Sequence, residues 1–344
     1  MKEHCISKLR CPACGSDSFS IQNPQREKDE IRGGALACTG CCASFPIREG
    51  ILDLLGKPSE ALQHEQHAMS AMRYYVSENP QDYITVSKET FQNHAPIFLS
   101  LPEGDGSYIF RKGGLQNQAE NAVRFYQTVD ALRLRGNESV LEIGASFGWA
   151  AARFAQKGCS VVAVDVTDYL LCSDLYFKAW GVYFERFWAD MNRLPFKDGV
   201  FDLVFANSVL HHSMDLRGVF SELLRVLRPG GKMVSLAECS LGLFEKRDNE
   251  AMQRAQADGS AEHTFRLGEW KSAAKRAGFR RVTLEFFSVI DSYIDKKKNR
   301  GTMGSWKVKL ALFVQRHAWL KGIYEGAFFW HRWLFRPGDW KLVC

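Results

Sequence analysis

The sequence predicts a doubly wound α/β fold with a mostly parallel sheet, preceded by a small module that carries paired cysteines. The first observation is the stretch 140–158, where an apolar run leads into a glycine-bearing turn at 144–148, after which small and apolar residues recur at helical spacing. The second observation is another apolar run, 160–165, that ends on a carboxylate. Strand, tight loop, helix and strand in this order predict a parallel βαβ unit.

The elements around this unit extend the same pattern. Apolar residues at helical spacing predict a helix at 119–134, ahead of the first strand. A helix and a third strand are predicted within 168–187, followed by a strand at 199–206. A helix at 219–227 then precedes a strand at 232–237. Because helix and strand alternate along this part of the chain, we expect a parallel sheet with helices on both faces.

The loop after the first strand indicates a ligand other than a dinucleotide. Gly144 and Gly148 allow a ligand to approach the backbone, and Asp165 at the end of the second strand is placed to bind ribose hydroxyls. A dinucleotide fingerprint requires a third glycine, but Ser146 stands at the middle position, and the loop has no cationic residue to meet a pyrophosphate. Glu142, just before the turn, suits an ammonium group better than a phosphate.

The stretch 140–148 resembles the first motif of the class I S-adenosylmethionine-dependent methyltransferases (type 11-like), roughly Val-Leu-Asp/Glu-Ile-Gly-x-Gly-x-Gly, and departs from it at Ser146. The resemblance implies a seven-stranded, Rossmann-like methyltransferase sheet and S-adenosyl-L-methionine as cofactor. It also implies that Glu142, the loop residues and Asp165 contact that cofactor.

Three later motifs carry the same resemblance. Asp190, in the pattern Asp-x-x-x-Leu-Pro-Phe, is implied to face the adenine amino group, and Met191 to pack on the adenine ring. Asn207 follows the strand at 199–206 and matches the position nearest the methyl donor. The Leu-x-Pro-Gly-Gly turn at 227–231 is a further mark of the family.

Composition and charge are those of an ordinary globular protein. The chain has a net charge of +6. Its 344 residues are enough for one α/β domain and an accessory module. No apolar run approaches the ~18 residues of a membrane span, and the first residues lack a signal-peptide hydrophobic region, so we expect a cytoplasmic protein. Ten cysteines without a secretion signal favour metal binding or free thiols over disulfides.

Residues 1–55 contain two Cys-x-x-Cys turns. Cys11 and Cys14 form the first, and Cys38 and Cys41 form the second. Two such turns predict a tetrahedral zinc site, and four thiolates leave no open position for a substrate, so the zinc is expected to be structural.

The end of this module, Phe-Pro-Ile-Arg-Glu-Gly-Ile at 45–51, resembles zinc-ribbon proteins that activate tRNA and ribosomal RNA methyltransferases. The ribbon is therefore open to two interpretations, an RNA-reading module or a scaffold.

The rest of the chain divides into four parts. Residues 56–118, interrupted by prolines, are predicted to be a linker and a lid over the cofactor site. Residues 119–290 are the predicted methyltransferase core, 291–338 an aromatic and basic helical insertion, and 339–344 the final antiparallel strand.

The candidate catalytic residues are His211, Glu262 and His263. An imidazole titrates near neutrality, which suits a general base, although His211 belongs to a His-His pair that is also common in the family without a fixed role. The Glu-His-x-Phe element at 262–265 resembles small-molecule and sugar-directed members of the family. There Glu262 orients the imidazole of His263; alternatively His263 caps a helix or bonds the backbone.

The segment 296–335 combines many aromatic residues with Lys, Arg and His. Three interpretations stay open: a packed lid or dimer face, a peripheral membrane contact, and a nucleic-acid surface. The sequence does not indicate an oligomeric state.

We predict an S-adenosylmethionine-dependent methyltransferase that methylates an oxygen of a small molecule or glycan, including a lipid-linked intermediate. The absence of Asn/Asp-Pro-Pro-Tyr/Phe disfavours methylation of adenine or amide nitrogen. The first alternative is an RNA methyltransferase that holds its substrate with the ribbon and the basic insertion. The second is a non-catalytic binding module, to which Ser146 alone points.

Overall fold

The computed structural model describes residues 1–75, 81–103, 122–213, 215–246, 263–299, 303–334 and 340–344. Within these ranges the strands are β1 (Phe19–Glu27), β2 (Glu30–Cys38), β3 (Ser44–Arg48), β4 (Ile51–Asp53), β5 (Arg73–Tyr75), β6 (Tyr83–Thr85), β7 (Ser139–Ile143), β8 (Ser160–Asp165), β9 (Glu185–Trp188), β10 (Phe201–Asn207), β11 (Leu227–Leu236), β12 (Ser240–Leu241), β13 (Phe265–Arg266), β14 (Thr283–Phe286) and β15 (Trp340–Val343).

The helices surround and follow the strands. They are α1 (Glu60–Ser70), α2 (Lys88–Asn93), α3 (Ala95–Leu99), α4 (Ala122–Leu132), α5 (Trp149–Gln156), α6 (Asp174–Trp180), α7 (Leu216–Val226), α8 (Leu267–Ala277), α9 (Val289–Asn299), α10 (Trp306–Arg316) and α11 (Ala318–Leu334). Short 3-10 segments lie at Glu3–Lys8, Asp168–Ser173 and Leu210–His212.

One sheet of eleven strands organises the protein, in the order β1-β2-β3-β4-β9-β8-β7-β10-β11-β15-β14. Strands β9, β8, β7, β10 and β11 run parallel, and β15 is antiparallel to both of its neighbours. The strands β9-β8-β7-β10-β11-β15-β14 come from the predicted core, and the sequence did not predict that the cysteine module adds four more strands to the same sheet. Strand β4 pairs with β9 through Leu52–Phe187 and Asp53–Trp188, so that the four strands of the cysteine module extend the sheet.

The central strands are apolar on both faces because helices cover both sides. All five residues of β7 are buried, as expected for a parallel strand inside an α/β sheet. Helix α5 lies close to the sheet because Ala150, Ala151 and Ala152 are fully buried and add little bulk. It begins after Gly148, whose φ is +82° and where a Cβ would lie 2.7 Å from the Phe184 ring.

A buried ion-pair network joins the cysteine module to the core sheet. Arg186 on β9 is 1% exposed; its Nη1 donates to Asp174 Oδ1 at 2.6 Å, and its Nη2 donates to Glu30 Oε1 at 3.2 Å. Arg32 of β2 also donates to Asp174, through two nitrogens. The module and the core therefore share one sheet, one apolar cluster and one set of ion pairs.

In the described residues after β14 the chain forms the helices α9, α10 and α11, of which α9 begins two residues before the predicted insertion. Helix α9 packs on α10 through Ile290, Ile294 and Ala311. Helix α11 has no buried residue along its 17 residues. Among the described residues, no helix combines the length and the apolarity needed to cross a bilayer.

Candidate active site

The loop between β7 and α5 lies at the carboxyl edge of the sheet, where open α/β sheets bind their ligands. Gly144 has a φ of +63°, and a Cβ there would lie 2.2 Å from Val209 Cγ2. Ser146 also has a positive φ, +50°, in the left-handed region that glycine adopts more easily. The backbone at this position therefore keeps the glycine conformation of the resembling motif, although the residue is serine.

Asp165 connects this loop to the end of β8. Its Oδ2 accepts from Ser146 N at 2.7 Å, and its Oδ1 accepts from Thr167 N at 2.8 Å and Thr167 Oγ1 at 2.7 Å. Burial raises the pKa of the Asp165 carboxyl, and these hydrogen bonds oppose that rise. The carboxylate thus stabilises the loop, and its contact with a ribose stays a prediction.

Glu142 is buried just before the loop, with 2% of its surface exposed. Burial raises its pKa well above the ordinary value. Its Oε2 has no hydrogen-bond partner among the described residues. A buried carboxylate oxygen without a partner is costly unless a ligand satisfies it, and an ammonium group is a fitting ligand.

A cavity of about 130 Å³ opens beyond the carboxyl ends of β4, β8 and β9. Val166, Asp168 and Trp188 line it from the core, and Arg48 and Asp53 line it from the cysteine module. The sequence did not predict that the module reaches this edge, because the pairing of β4 with β9 has no local signal. The cysteine module thus contributes directly to the surface beside the predicted adenosine site.

The two residues predicted to contact the adenine follow β9, and the residue predicted to lie nearest the methyl donor ends β10. Asp190 is partly buried, and its Oδ1 accepts from Asn192 N at 2.9 Å and Asn192 Nδ2 at 2.7 Å. Met191 packs against the main apolar cluster. Asn207 is the last residue of β10 and stands beside Leu236 of β11. The strand ends therefore place all three at the ligand-binding edge of the sheet.

His211 is held by a carboxylate that the sequence analysis did not single out. Its ring is 3% exposed, and Nδ1 lies 2.7 Å from Glu238 Oε2. Glu238 is buried and also accepts from Ser235 Oγ at 2.6 Å and Leu210 N at 3.1 Å. Burial alone raises the pKa of Glu238, but the His211 hydrogen bond and charge outweigh it, so the pKa is lowered.

The second histidine of the pair contacts the helix that covers this edge. His212 Nδ1 lies 2.9 Å from Glu65 Oε1 on α1. The same helix is tied to the region after β8, because Gln66 Nε2 donates to the carbonyl of Val166 at 2.6 Å. Helix α1, which has no clear sequence pattern, thus covers the site and supplies the Glu65 carboxylate to it.

His263 joins the same group of side chains. Its backbone N–H donates to the carbonyl of His211 at 2.9 Å, and its ring atom Nε2 is buried without a hydrogen-bond partner among the described residues. Burial, followed by the nearby His212 and His211, lowers the pKa of His263. The neutral form of the ring is therefore favoured. Glu262, its predicted orienting acid, lies outside the described residues.

Glu65 and Glu238 are the site residues that sequence reasoning missed. Glu238 had one usable signal, since it follows a buried strand at the ligand-binding edge. Glu65 had none, because its neighbours on α1 are polar without apolar periodicity.

The four predicted cysteines form one compact cluster. The Sγ atoms of Cys11, Cys14, Cys38 and Cys41 all lie within 4.8 Å of one another. The Cys11–Cys41 separation is 3.8 Å and the Cys14–Cys38 separation is 3.6 Å. A tetrahedron with Zn–S bonds of ~2.3 Å has edges of ~3.8 Å, so the cluster has the dimensions of a zinc site. The neighbouring Cys42 is outside it.

Residues 141–235 match a protein-family model described as a methyltransferase domain. Two curated relatives show the range of the likeness. The chain is 26% identical over 166 residues to a sterol 24-C-methyltransferase of Pneumocystis carinii. This alignment covers 46% of this chain and 44% of the relative. It is 36% identical over 113 residues to a demethylmenaquinone methyltransferase of Beutenbergia cavernae, which covers 31% of this chain and 43% of the relative. The chain thus spans less than half the length of these relatives.

A solved structure supports the fold. Geranyl diphosphate C-methyltransferase from Streptomyces coelicolor, whose structure contains Mg²⁺, geranyl diphosphate and S-adenosyl-L-homocysteine, aligns with a TM-score of 0.50 at 13% identity. The alignment covers 84% of this chain and 98% of that one. The domain match and the sheet define a class I methyltransferase fold with a methyltransferase domain at 141–235. The prediction of a methyltransferase domain and of its fold is therefore confirmed.

Proposed function

We propose that this protein transfers a methyl group from S-adenosyl-L-methionine to an oxygen of a small molecule or sugar. The methyltransferase domain supports the class of reaction. The observation that carries the choice of oxygen is the buried Nε2 of His263, which has no hydrogen-bond partner among the described residues and belongs to a ring whose pKa is lowered. A hydroxyl must lose its proton to accept a methyl group, and a neutral imidazole accepts one.

The residues of the sheet edge fit the proposed cofactor. Glu142 Oε2, which has no partner in the described part of the chain, suits its ammonium group, and Asp165 suits its ribose hydroxyls. In this proposal Asp190 and Met191 would meet the adenine amino group and ring, and Asn207 the methyl-donor end. When bound, the cofactor supplies an electrophilic methyl group, so the protein has chiefly to orient the acceptor and remove its proton.

We assign the proton transfer to His263 and positioning to its neighbours. The acceptor hydroxyl would give its proton to Nε2 of His263 as the oxygen–methyl bond forms and the sulfur–methyl bond breaks. The pairs His211–Glu238 and His212–Glu65 hold the adjacent rings. Because Nδ1 of His211 is engaged by a buried carboxylate, a positioning role fits His211 better than the catalytic role considered from sequence.

We further propose that the cysteine cluster holds a structural Zn²⁺. Four thiolates complete a tetrahedral shell and leave no position for a substrate. The ribbon is then a scaffold that extends the sheet and lines the cavity through Arg48 and Asp53.

Methyl-labelled S-adenosyl-L-methionine supplied with extract of the source cells tests the proposal. The extract is then separated into RNA, lipid and small soluble fractions, and the labelled product is fragmented to locate the methyl group. We expect label on oxygen in the lipid or small-molecule fraction, and a much weaker signal with the variant His263→Ala. The variant His4→Ala, changed at an exposed histidine of the ribbon, is the matched control.

Three results would contradict the proposal in different ways. Label in RNA would favour the alternative of an RNA methyltransferase. Label on carbon, the atom named for the sterol relative, would retain methyl transfer but remove the argument from His263. Absence of both transfer and cofactor binding would favour a non-catalytic module.

A further inference from the structure

Helices α10 and α11 carry an unusual set of exposed apolar side chains. Eight of the twelve large apolar side chains that are exposed among the described residues belong to these two helices. Trp306, Trp319, Ile323 and Trp330 are between 64% and 69% exposed. Large exposed apolar groups concentrated in one part of a protein indicate an interaction site. We call the following residues the apolar surface: Trp306, Leu310, Phe313, Trp319, Ile323 and Trp330.

The spacing of these residues places them in a stripe on each helix. On α10, Trp306, Leu310 and Phe313 follow one another at intervals of four and three, which is one face of a helix. The side chains of Val308 and Ala311 are buried, and Ala311 packs with α9. Helix α10 therefore has one apolar face for its own core and a second one that no described part of the chain covers.

Helix α11 repeats the arrangement. Trp319, Ile323 and Trp330 stand at intervals of four and seven, and all three are more than 60% exposed. Helix α11 has no fully buried residue, and polar contacts such as those of Lys321 with Asp291 and of Glu325 with Ser288 hold it to its own chain. Its apolar stripe is thus available to a partner.

The charges beside the stripes are positive. Lys307, Lys309 and Arg316 on α10 are exposed. The only acidic residue between 306 and 334 is Glu325. Its carboxylate is turned to α9, where it accepts from Ser288 Oγ at 2.7 Å and Ile290 N at 3.1 Å. The outward surface of these two helices therefore combines tryptophan and aliphatic groups with cations, and their one acid, Glu325, is turned inward.

We propose that α10 and α11 dock the protein on an anionic phospholipid bilayer, lying in the interface with the apolar surface towards the acyl chains. Tryptophan and basic residues suit the boundary between headgroups and hydrocarbon, and neither helix is long and apolar enough to span. A second copy of the chain is a poorer partner, because twofold contact would bring the same cations together without acids. RNA is a poorer partner because Leu310 and Ile323 offer bases no aromatic face.

Flotation of the full chain with vesicles tests this docking. One vesicle set contains phosphatidylglycerol and phosphatidylcholine in equal parts, and the other contains phosphatidylcholine alone. We expect binding to the anionic set that weakens with added salt. The double variant Ile323→Glu/Trp330→Glu should lower the vesicle affinity at least about tenfold, because it removes apolar area and introduces like charge towards the lipid.

The control variant Met72→Glu alters an exposed apolar residue away from the apolar surface and should bind like the unchanged protein. Circular dichroism establishes that both variants keep their fold. Equal vesicle binding by the double variant and the unchanged protein would overturn the proposal. The proposal would also be overturned if the unchanged protein failed to bind vesicles and instead bound RNA, or formed a dimer in sedimentation, and if the double variant lost that RNA binding or that dimer. None of these readouts depends on methyl transfer.

Discussion

Arg186 of the core sheet and Glu30 of the cysteine module form an ion pair, with Nη2 3.2 Å from Oε1, at a position where Arg186 is 1% exposed. The two residues are far apart in sequence and meet because β4 pairs with β9. The same guanidinium holds Asp174 at 2.6 Å. The module is thereby fastened to the sheet by charge as well as by strand pairing.

Replacement of Arg186 should therefore destabilise the whole chain. Arg186→Met leaves two largely buried carboxylates with less compensation, and we expect the free energy of unfolding to fall by about 3 kcal/mol. Chemical denaturation measures the loss. The control Arg26→Met removes an exposed pair with Glu3 and should cost less than about 1 kcal/mol. Equal losses in the two variants would contradict the importance of the buried network.

Loss of one thiol should release the proposed zinc. Cys14→Ser removes one of the four ligands, and we expect metal content, measured by mass spectrometry on purified protein, to fall from roughly one ion per chain to nearly none. The melting temperature should fall in the same variant, since the ribbon shares the sheet with β9. Cys42→Ser, changed at a thiol outside the cluster, should retain its metal. A folded, zinc-replete Cys14→Ser protein would exclude the site.

His263 should control the acidic limb of the pH profile. Burial and the neighbouring His212 and His211 lower its pKa from the ordinary value of about 6.5, so the neutral, proton-accepting form persists below that pH. We expect methyl transfer to stay constant as pH falls from 8 to about 6.5 and to decline at lower pH as the ring is protonated.

The variant His263→Ala should reduce turnover by roughly 10²-fold or more and lose this acidic limb, with the cofactor affinity preserved. The same limb in the variant would show that another group titrates. Unchanged turnover would remove His263 from the mechanism.

Asp165 should contribute to cofactor affinity through the ribose and through the loop. Asp165→Ala removes charge-assisted hydrogen bonds, including the one from Ser146 N, and should weaken S-adenosyl-L-methionine binding about tenfold or more. Isothermal titration calorimetry measures the change. Asp17→Ala, at an exposed carboxylate of the ribbon, is the control. If both variants bind the cofactor equally well, the ribose assignment is wrong.

Ser146 holds a conformation that favours glycine, with a φ of +50°. Ser146→Gly removes a left-handed strain of about 1–2 kcal/mol, offset by the greater entropy of glycine in the unfolded chain, so we expect a net stabilisation of about 0.5 kcal/mol. Ser100→Gly, at a φ of −79°, should instead destabilise the protein. A destabilised Ser146→Gly protein would indicate that the serine hydroxyl makes a contact worth more than the strain.

The predictable part of the site consists of residues with a local signal. Asp165 stands at the end of an apolar run. Cys11 and Cys14 have the spacing with which two thiolates bind one metal ion, and Cys38 and Cys41 have the same spacing. Glu65 and Arg48 carry no such signal. Their relation to His212 and Trp188 depends on which elements cover which edge of the sheet, and each is separated from its neighbour by more than a hundred residues.

The sequence by itself determined the βαβ pattern, the glycine-type loop, the methyltransferase class and the cysteine quartet, because hydrophobic period and motif spacing are local properties of the chain. The tertiary structure alone decided that the cysteine module joins the sheet through β4, that Glu65 and Glu238 approach the histidines, and that the described residues leave an apolar stripe of α11 exposed. These are contacts between distant segments, and they follow from strand pairing and from which surfaces the packed core leaves free.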